Sequence, residues 1–162
     1  MKFSANDWLL LSPELFLTAA GLLVLSLAVF VDKAKEEFLA FLTLISVAIT
    51  MALVLFLSGY SGRGGSILSG MFILDNFAVF FKLLMLTSIA LTVLASVRFV
   101  GASPYPGGEY YALLLFTGVG MLFMVSGDNL ISIYVALELM ALSSYILAGY
   151  FKGEIKSTEA AL

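Results

Sequence analysis

Five long apolar runs make up most of this chain, and short stretches rich in charge, proline or glycine separate them. A helix needs roughly 20 predominantly apolar residues to cross the hydrocarbon core of a bilayer, and each run is close to that length. Charges and proline–glycine stretches are costly within such a helix, so they mark its ends. The pattern predicts transmembrane helices over residues 13–31, 38–58, 72–97, 110–126 and 130–150.

Helix-start signals lie at both ends of this series. At the first one, Ser12 is expected to cap the helix, Pro13 to occupy the first turn and Glu14 to meet the positive helix end. After the fifth run, residues 157–159 (Ser-Thr-Glu) resemble another helix start, and the apolar run that follows is unfinished at Leu162. The expected fold class is all-α. It is a polytopic transmembrane bundle of five complete helices plus the start of a sixth, forming the N-terminal part of a single membrane domain.

Composition supports a membrane protein and excludes several other classes. Hydrophobic residues make up 62% of the chain and charged residues only 12%, which is too little charge for a soluble surface. The absence of cysteine and histidine removes disulfides, thiolate clusters, imidazole haem ligands and nearly every zinc site. The net charge of −3, without a basic run, excludes an electrostatic footprint for nucleic acid.

The distribution of lysine and arginine predicts the orientation, because short cytoplasmic loops are enriched in these residues. If the N-terminus lies outside, five such residues fall on the cytoplasmic side and two on the outer side. An outer N-terminus is therefore expected. The cytoplasmic set is Lys33, Lys35, Arg98, Lys152 and Lys156, and the outer set is Lys2 and Arg63.

Two ionisable residues, Glu138 and Lys82, lie deep within apolar runs, away from the ends of the predicted helices. A charge near the bilayer centre costs about 2.5 to 3.5 kcal/mol even on lenient insertion scales, so it needs a partner or a water-filled cavity. Both head groups are therefore expected to face the interior of the bundle and not lipid. They are the candidate functional residues of this chain.

Glu138 lies on a polar stripe of the fifth helix. Tyr134, Glu138, Ala141 and Tyr145 recur at helical spacing, which places two hydroxyls and one carboxyl on one face. One interpretation is a carboxyl that translocates protons, and the other is a structural hydrogen bond between helices. The first is favoured because Ser, Thr or Asn provides a structural polar contact at lower cost.

Lys82 has no direct partner on its own helix. Asp75 lies on the same helical face, but seven residues correspond to about 10 Å along the axis, which is too far for an ion pair. Asp75 is either a charge at the helix start or a functional group. Lys82 is either a buried proton relay or a long side chain that extends to the membrane interface. Small residues such as Gly118 and Gly120 are expected to allow close helix packing.

Several segments resemble the antiporter-like membrane subunits of bacterial respiratory complex I, NADH:quinone oxidoreductase, and its subunit N in particular. The resemblance covers essentially the whole chain. The segment containing Glu138 carries it most strongly, and the segments at residues 11–15 and 156–162 favour subunit N over its sister subunits. The segments are LSPEL at 11–15, DNFAVFFK at 75–82, SGDNL at 126–130, YVALELMALSSY at 134–145 and KSTEAAL at 156–162.

The resemblance implies a proton-pumping subunit in the bacterial inner membrane. Glu138 then matches the family's fifth-helix glutamate, whose lysine partner lies on a seventh helix outside this chain, and Lys82 is a candidate proton relay. The family also implies that NADH, FMN, the iron–sulfur clusters and quinone are bound by other subunits and that this chain binds no cofactor. The expected partners are the other membrane subunits of complex I and membrane lipid.

Two alternatives stay open at this stage. The first is a subunit of a related cation/proton antiporter or of a membrane-bound hydrogenase, which share the fifth-helix glutamate. The second is a membrane scaffold without transport activity, in which Glu138 only bonds a neighbouring helix. Sequence after Leu162 would distinguish the first alternative from subunit N of complex I. Removal of the Glu138 charge would test the second alternative.

Overall fold

The computed structural model describes residues 5–30, 36–59, 66–67, 70–102, 107–151 and 155–160. Within these residues, the chain forms seven helices and one pair of very short antiparallel strands. The elements are α1 (Ala5–Leu10), α2 (Ser12–Phe30), α3 (Glu36–Ser58), β1 (Ser66–Ile67), β2 (Phe72–Ile73), α4 (Asn76–Ala102), α5 (Gly107–Ser126), α6 (Leu130–Ala148) and α7 (Ile155–Ala160).

Helices α2 to α6 are long and apolar enough to cross a membrane. They confirm the predicted all-α membrane bundle, because only a helix satisfies all its own backbone hydrogen bonds in lipid over runs of this kind. The short helix α7 begins close to the predicted start of a sixth helix. Most of the loop cations behind the predicted orientation lie outside the described residues, so the orientation stays a prediction.

The predicted start of the third membrane helix was wrong. Phe72 and Ile73 are not helical but form strand β2, which pairs with Ile67 and Ser66. Helix α4 begins only after Asp75, whose Oδ1 accepts a hydrogen bond of 2.7 Å from the backbone N–H of Ala78. Asp75 is therefore the capping residue of α4, which agrees with its interpretation as a helix-start charge.

Replacing Asp75 by alanine is expected to destabilise the chain by about 1 kcal/mol. The backbone N–H of Ala78, in the first turn of α4, then loses its hydrogen-bond acceptor. Asp75→Asn is the matched control, since the amide oxygen can still accept the same hydrogen bond. Thermal unfolding of the full chain in detergent would measure the difference. Equal losses in both variants would show that the charge, and not the cap, is what stabilises the helix start.

Helix α5 lies at the centre of the bundle and packs against α2, α3, α4 and α6. Helix α6 lies at the edge: it packs mainly against α5, and only Ala136 and Ser143 of its residues are buried. Most of the α6 surface is therefore uncovered by the described part of the chain.

The contact between α5 and α6 depends on Gly120. A Cβ atom at this position would lie 2.6 Å from the backbone nitrogen of Met140 and 2.9 Å from the carbonyl oxygen of Ala136. The two backbones therefore approach more closely than any side chain would allow. This contact confirms the predicted close packing at Gly120, and it lies on the segment of α6 that carries Glu138.

Candidate functional site

A buried ion pair joins the first and third membrane helices. Lys82 Nζ lies 2.6 Å from Glu14 Oε1, and both side chains are 0% exposed. Glu14 belongs to the first turn of α2, and Lys82 lies about two turns into α4. Because α2 and α4 pack more closely against α3 and α5 than against each other, the pair bridges two helices that are otherwise poorly connected.

The pair lies toward one end of the bundle. Consecutive membrane helices alternate in direction, so α2 and α4 begin on the same side. Glu14 is about 3 Å and Lys82 about 9 Å along the axis from the first residue of its helix, at 1.5 Å per residue. The lysine side chain points back toward the helix N-terminus, as side chains on α-helices generally do, which closes the remaining distance.

Two aromatic rings lie on the Lys82 side of the pair. The Phe72 ring, itself only 3% exposed, has its centroid 4.9 Å from Lys82 Nζ, which is within cation–π distance. Phe123 packs edge-on against that ring, with centroids 6.1 Å apart. Among the described residues, neither carboxylate oxygen of Glu14 has a hydrogen-bond partner of good geometry. Each charge therefore depends mainly on the other.

The burial of Lys82 agrees with the expected interior position and shows that its head group is not exposed at the surface of the described helices. Glu14 was interpreted from sequence only as a helix-start charge, and its pairing was missed. A usable signal was present, since the alternation of helices places the beginnings of the first and third helices on one side. An acid and a base in those two positions could have been matched.

Glu138 is not brought close to this pair. It is half-buried in the middle of α6, where the Tyr134 hydroxyl on the preceding turn hydrogen-bonds to its carboxyl. Tyr134 is 62% exposed and Tyr145 is 59% exposed, so the polar stripe lies on a face that the described helices leave uncovered. Within the described chain, Glu138 does not reach the expected bundle interior, and its role stays a prediction.

The five apolar helices and the buried ion pair define a multi-pass α-helical membrane protein. No family model matches the chain. It is 39% identical over 150 residues, 93% of its length, to NADH-quinone oxidoreductase subunit N of Trichlorobacter lovleyi. It is 36% identical over 99% of its length to subunit N 1 of Solibacter usitatus, and 37% identical over 98% to subunit N 1 of Koribacter versatilis.

The chain is therefore similar to NADH-quinone oxidoreductase subunit N over nearly its whole length, which confirms the resemblance carried by the sequence motifs. It spans 30 to 32% of the length of these relatives. The similarity accordingly covers about a third of such a subunit.

Proposed function

We propose that this chain forms part of a proton-translocating membrane subunit of an NADH-quinone oxidoreductase. The similarity to proteins of that name over nearly the whole chain supports this proposal most directly. The subunit would lie in the bacterial inner membrane with its N-terminus on the outer side, in contact with lipid and with the other membrane subunits. NADH, FMN, iron–sulfur clusters and quinone would be bound by those other subunits.

Glu138 is the proposed proton-coupling residue. Its carboxyl lies at mid-helix on α6, contacts the Tyr134 hydroxyl and keeps part of its surface uncovered. This position leaves room for a cationic partner from outside the described chain. A carboxylate so deep in a membrane helix is costly, and a partner that approaches or withdraws would change its proton affinity.

Lys82 is proposed as a second proton-handling group, and the structure supplies the partner it lacked in the sequence. A proton on Nζ can move across the 2.6 Å contact to Glu14 Oε1. The N–H bond breaks, an O–H bond forms, and the charged pair becomes a neutral amine and a carboxylic acid. In a dry interior the neutral pair avoids the desolvation cost of two charges, which favours such an exchange.

The Glu138→Gln variant is expected to assemble and to oxidise NADH, because the redox centres are proposed to lie on other subunits, but to pump fewer protons per NADH. Proton uptake would be measured beside NADH oxidation with the complete complex in sealed vesicles. Glu138→Asp should be milder, since the charge stays and the side chain is shorter by one methylene. Loss of the carboxylate removes the anion that favours a charged partner.

Glu109→Gln is the matched control, because Glu109 is an exposed acid in the first turn of α5. It should pump normally. Unchanged pumping in a fully assembled Glu138→Gln complex would reject the role of Glu138 and favour the scaffold alternative. Proton transport coupled to a cation gradient, without a requirement for NADH, would favour the antiporter alternative.

A further inference from the structure

Phe72 occupies a special position beside the ion pair. Its ring contacts Lys82 Nζ and also lines a half-open apolar groove of about 410 Å³ between β2, α5 and α6. One aromatic ring therefore stands between the buried ammonium and this groove. The residues that line the α6 groove include Met71, Phe72, Phe123, Ser132, Val135 and Leu139.

The backbone beneath Phe72 is firmly attached to the start of α6. The carbonyl oxygen of Met71 accepts hydrogen bonds of 3.1 Å from both the backbone N–H of Asp128 and the hydroxyl of Ser132. Phe72 itself forms an antiparallel bridge with Gly127. A change of the Phe72 side-chain rotamer can therefore move the ring without moving the strand.

The α6 groove has room for such a movement. Its volume of about 410 Å³ is more than ten times the space that a water molecule takes, about 30 Å³ in the liquid. A ring that turned into the groove would uncover Lys82 toward the groove.

We propose that Phe72 is a gate that keeps the Glu14–Lys82 pair dry and positions the ammonium on its carboxylate. In the observed rotamer the ring covers Nζ with its face and closes the passage to the α6 groove. In the open rotamer the pair is no longer closed off from the α6 groove. Hydrophobic constrictions control access in membrane proteins in this way, because a narrow apolar passage excludes water.

This proposal deepens the proposed function by naming a residue that regulates the second proton-handling site, but its test requires no pumping. Acetic anhydride acetylates a lysine amine that it can reach, and mass spectrometry of peptides reads the modification at Lys82 alone. The assembled complex would be treated briefly with the reagent. Acetylation at Lys82 would be normalised to the other lysines of the chain.

Lys82 should be acetylated very slowly in the unmodified protein. Phe72→Ala should raise its rate by roughly tenfold or more, about the factor expected from the loss of a desolvated cation–π contact. Phe72→Tyr should keep the slow rate, because the ring stays in place. Phe77→Ala is the matched control, since Phe77 is 61% exposed in the first turn of α4, the helix that carries Lys82.

General loosening of the bundle is tested separately with Leu115→Ala, which removes a fully buried side chain of α5. The gate requires slow labelling in Leu115→Ala and fast labelling in Phe72→Ala. Fast labelling of the unmodified protein, slow labelling of Phe72→Ala, or equal acceleration by both variants would overturn it. Normal pumping by Glu138→Gln would reject the role of Glu138 and leave the labelling result unaffected, so the two proposals fail separately.

Discussion

Replacing Lys82 by methionine is expected to destabilise the chain by about 3 to 5 kcal/mol, because the carboxylate of Glu14 is then buried without a counter-charge. Glu14 is fully buried, and no described residue donates a good hydrogen bond to either of its oxygens. It would have to take up a proton or draw water into the bundle. Glu14→Gln should also lower the free energy of unfolding, because the buried ammonium of Lys82 then has no counter-charge.

The double variant Glu14→Gln/Lys82→Met should recover most of that loss. Replacing both members of a buried ion pair by groups of similar volume is often neutral, because the desolvation cost disappears together with the attraction. Unfolding in mixed detergent micelles, followed by circular dichroism, would give the free energy of unfolding of the unmodified protein, the two single variants and the double variant. These four values form a double-mutant cycle. Additive losses in the double variant would show that the two side chains do not interact.

Arg98→Met is the matched control for the loss of a cation from α4. Arg98 is exposed near the other end of the same helix. Its replacement should change the free energy of unfolding by no more than about 0.5 kcal/mol, as is usual for a surface substitution. A similar loss of unfolding free energy in Arg98→Met and Lys82→Met would mean that the loss of any cation from α4 destabilises the chain. The buried pair would then have no special role.

Gly120→Val is expected to destabilise the chain by about 3 kcal/mol, at the upper end of the range for overpacked sites. The atoms that a Cβ would meet belong to the backbone of α6 at Ala136 and Met140, and backbone atoms cannot turn aside as a side chain can. Helix α6 would have to move away from α5. Close packing of small residues is a main source of helix association in lipid, where the hydrophobic effect contributes little.

Gly101→Val controls for the helix propensity of valine. Gly101 lies in α4, and a Cβ there would meet nothing within 4 Å. The loss at Gly120 should exceed the loss at Gly101, and crosslinking between α5 and α6 in the Gly120 variant should weaken. Equal unfolding free energies for the two variants would show that the close approach at Gly120 contributes nothing to stability.

Most of the fold could be predicted from the apolar runs, because lipid leaves a spanning segment with little choice other than a helix. The exceptions were α1, which the apolar runs did not predict, and the start of α4. Residues 72–74 are apolar and continue directly into the run, so hydrophobicity alone cannot distinguish a short strand from a first helical turn. The cap at Asp75 placed the boundary, and that signal had been left open between two interpretations.

The candidate site, too, could be predicted only in part from the sequence. The sequence by itself determined the class of protein, the five membrane helices and the two ionisable residues deep within apolar runs, since length and the cost of burying charge depend only on local composition. Only the tertiary structure decided that Lys82 pairs with Glu14, that Phe72 covers the pair and that Glu138 lies apart on α6. Those contacts join segments that are remote along the chain, and how the helices pack around α5 determines which of them meet.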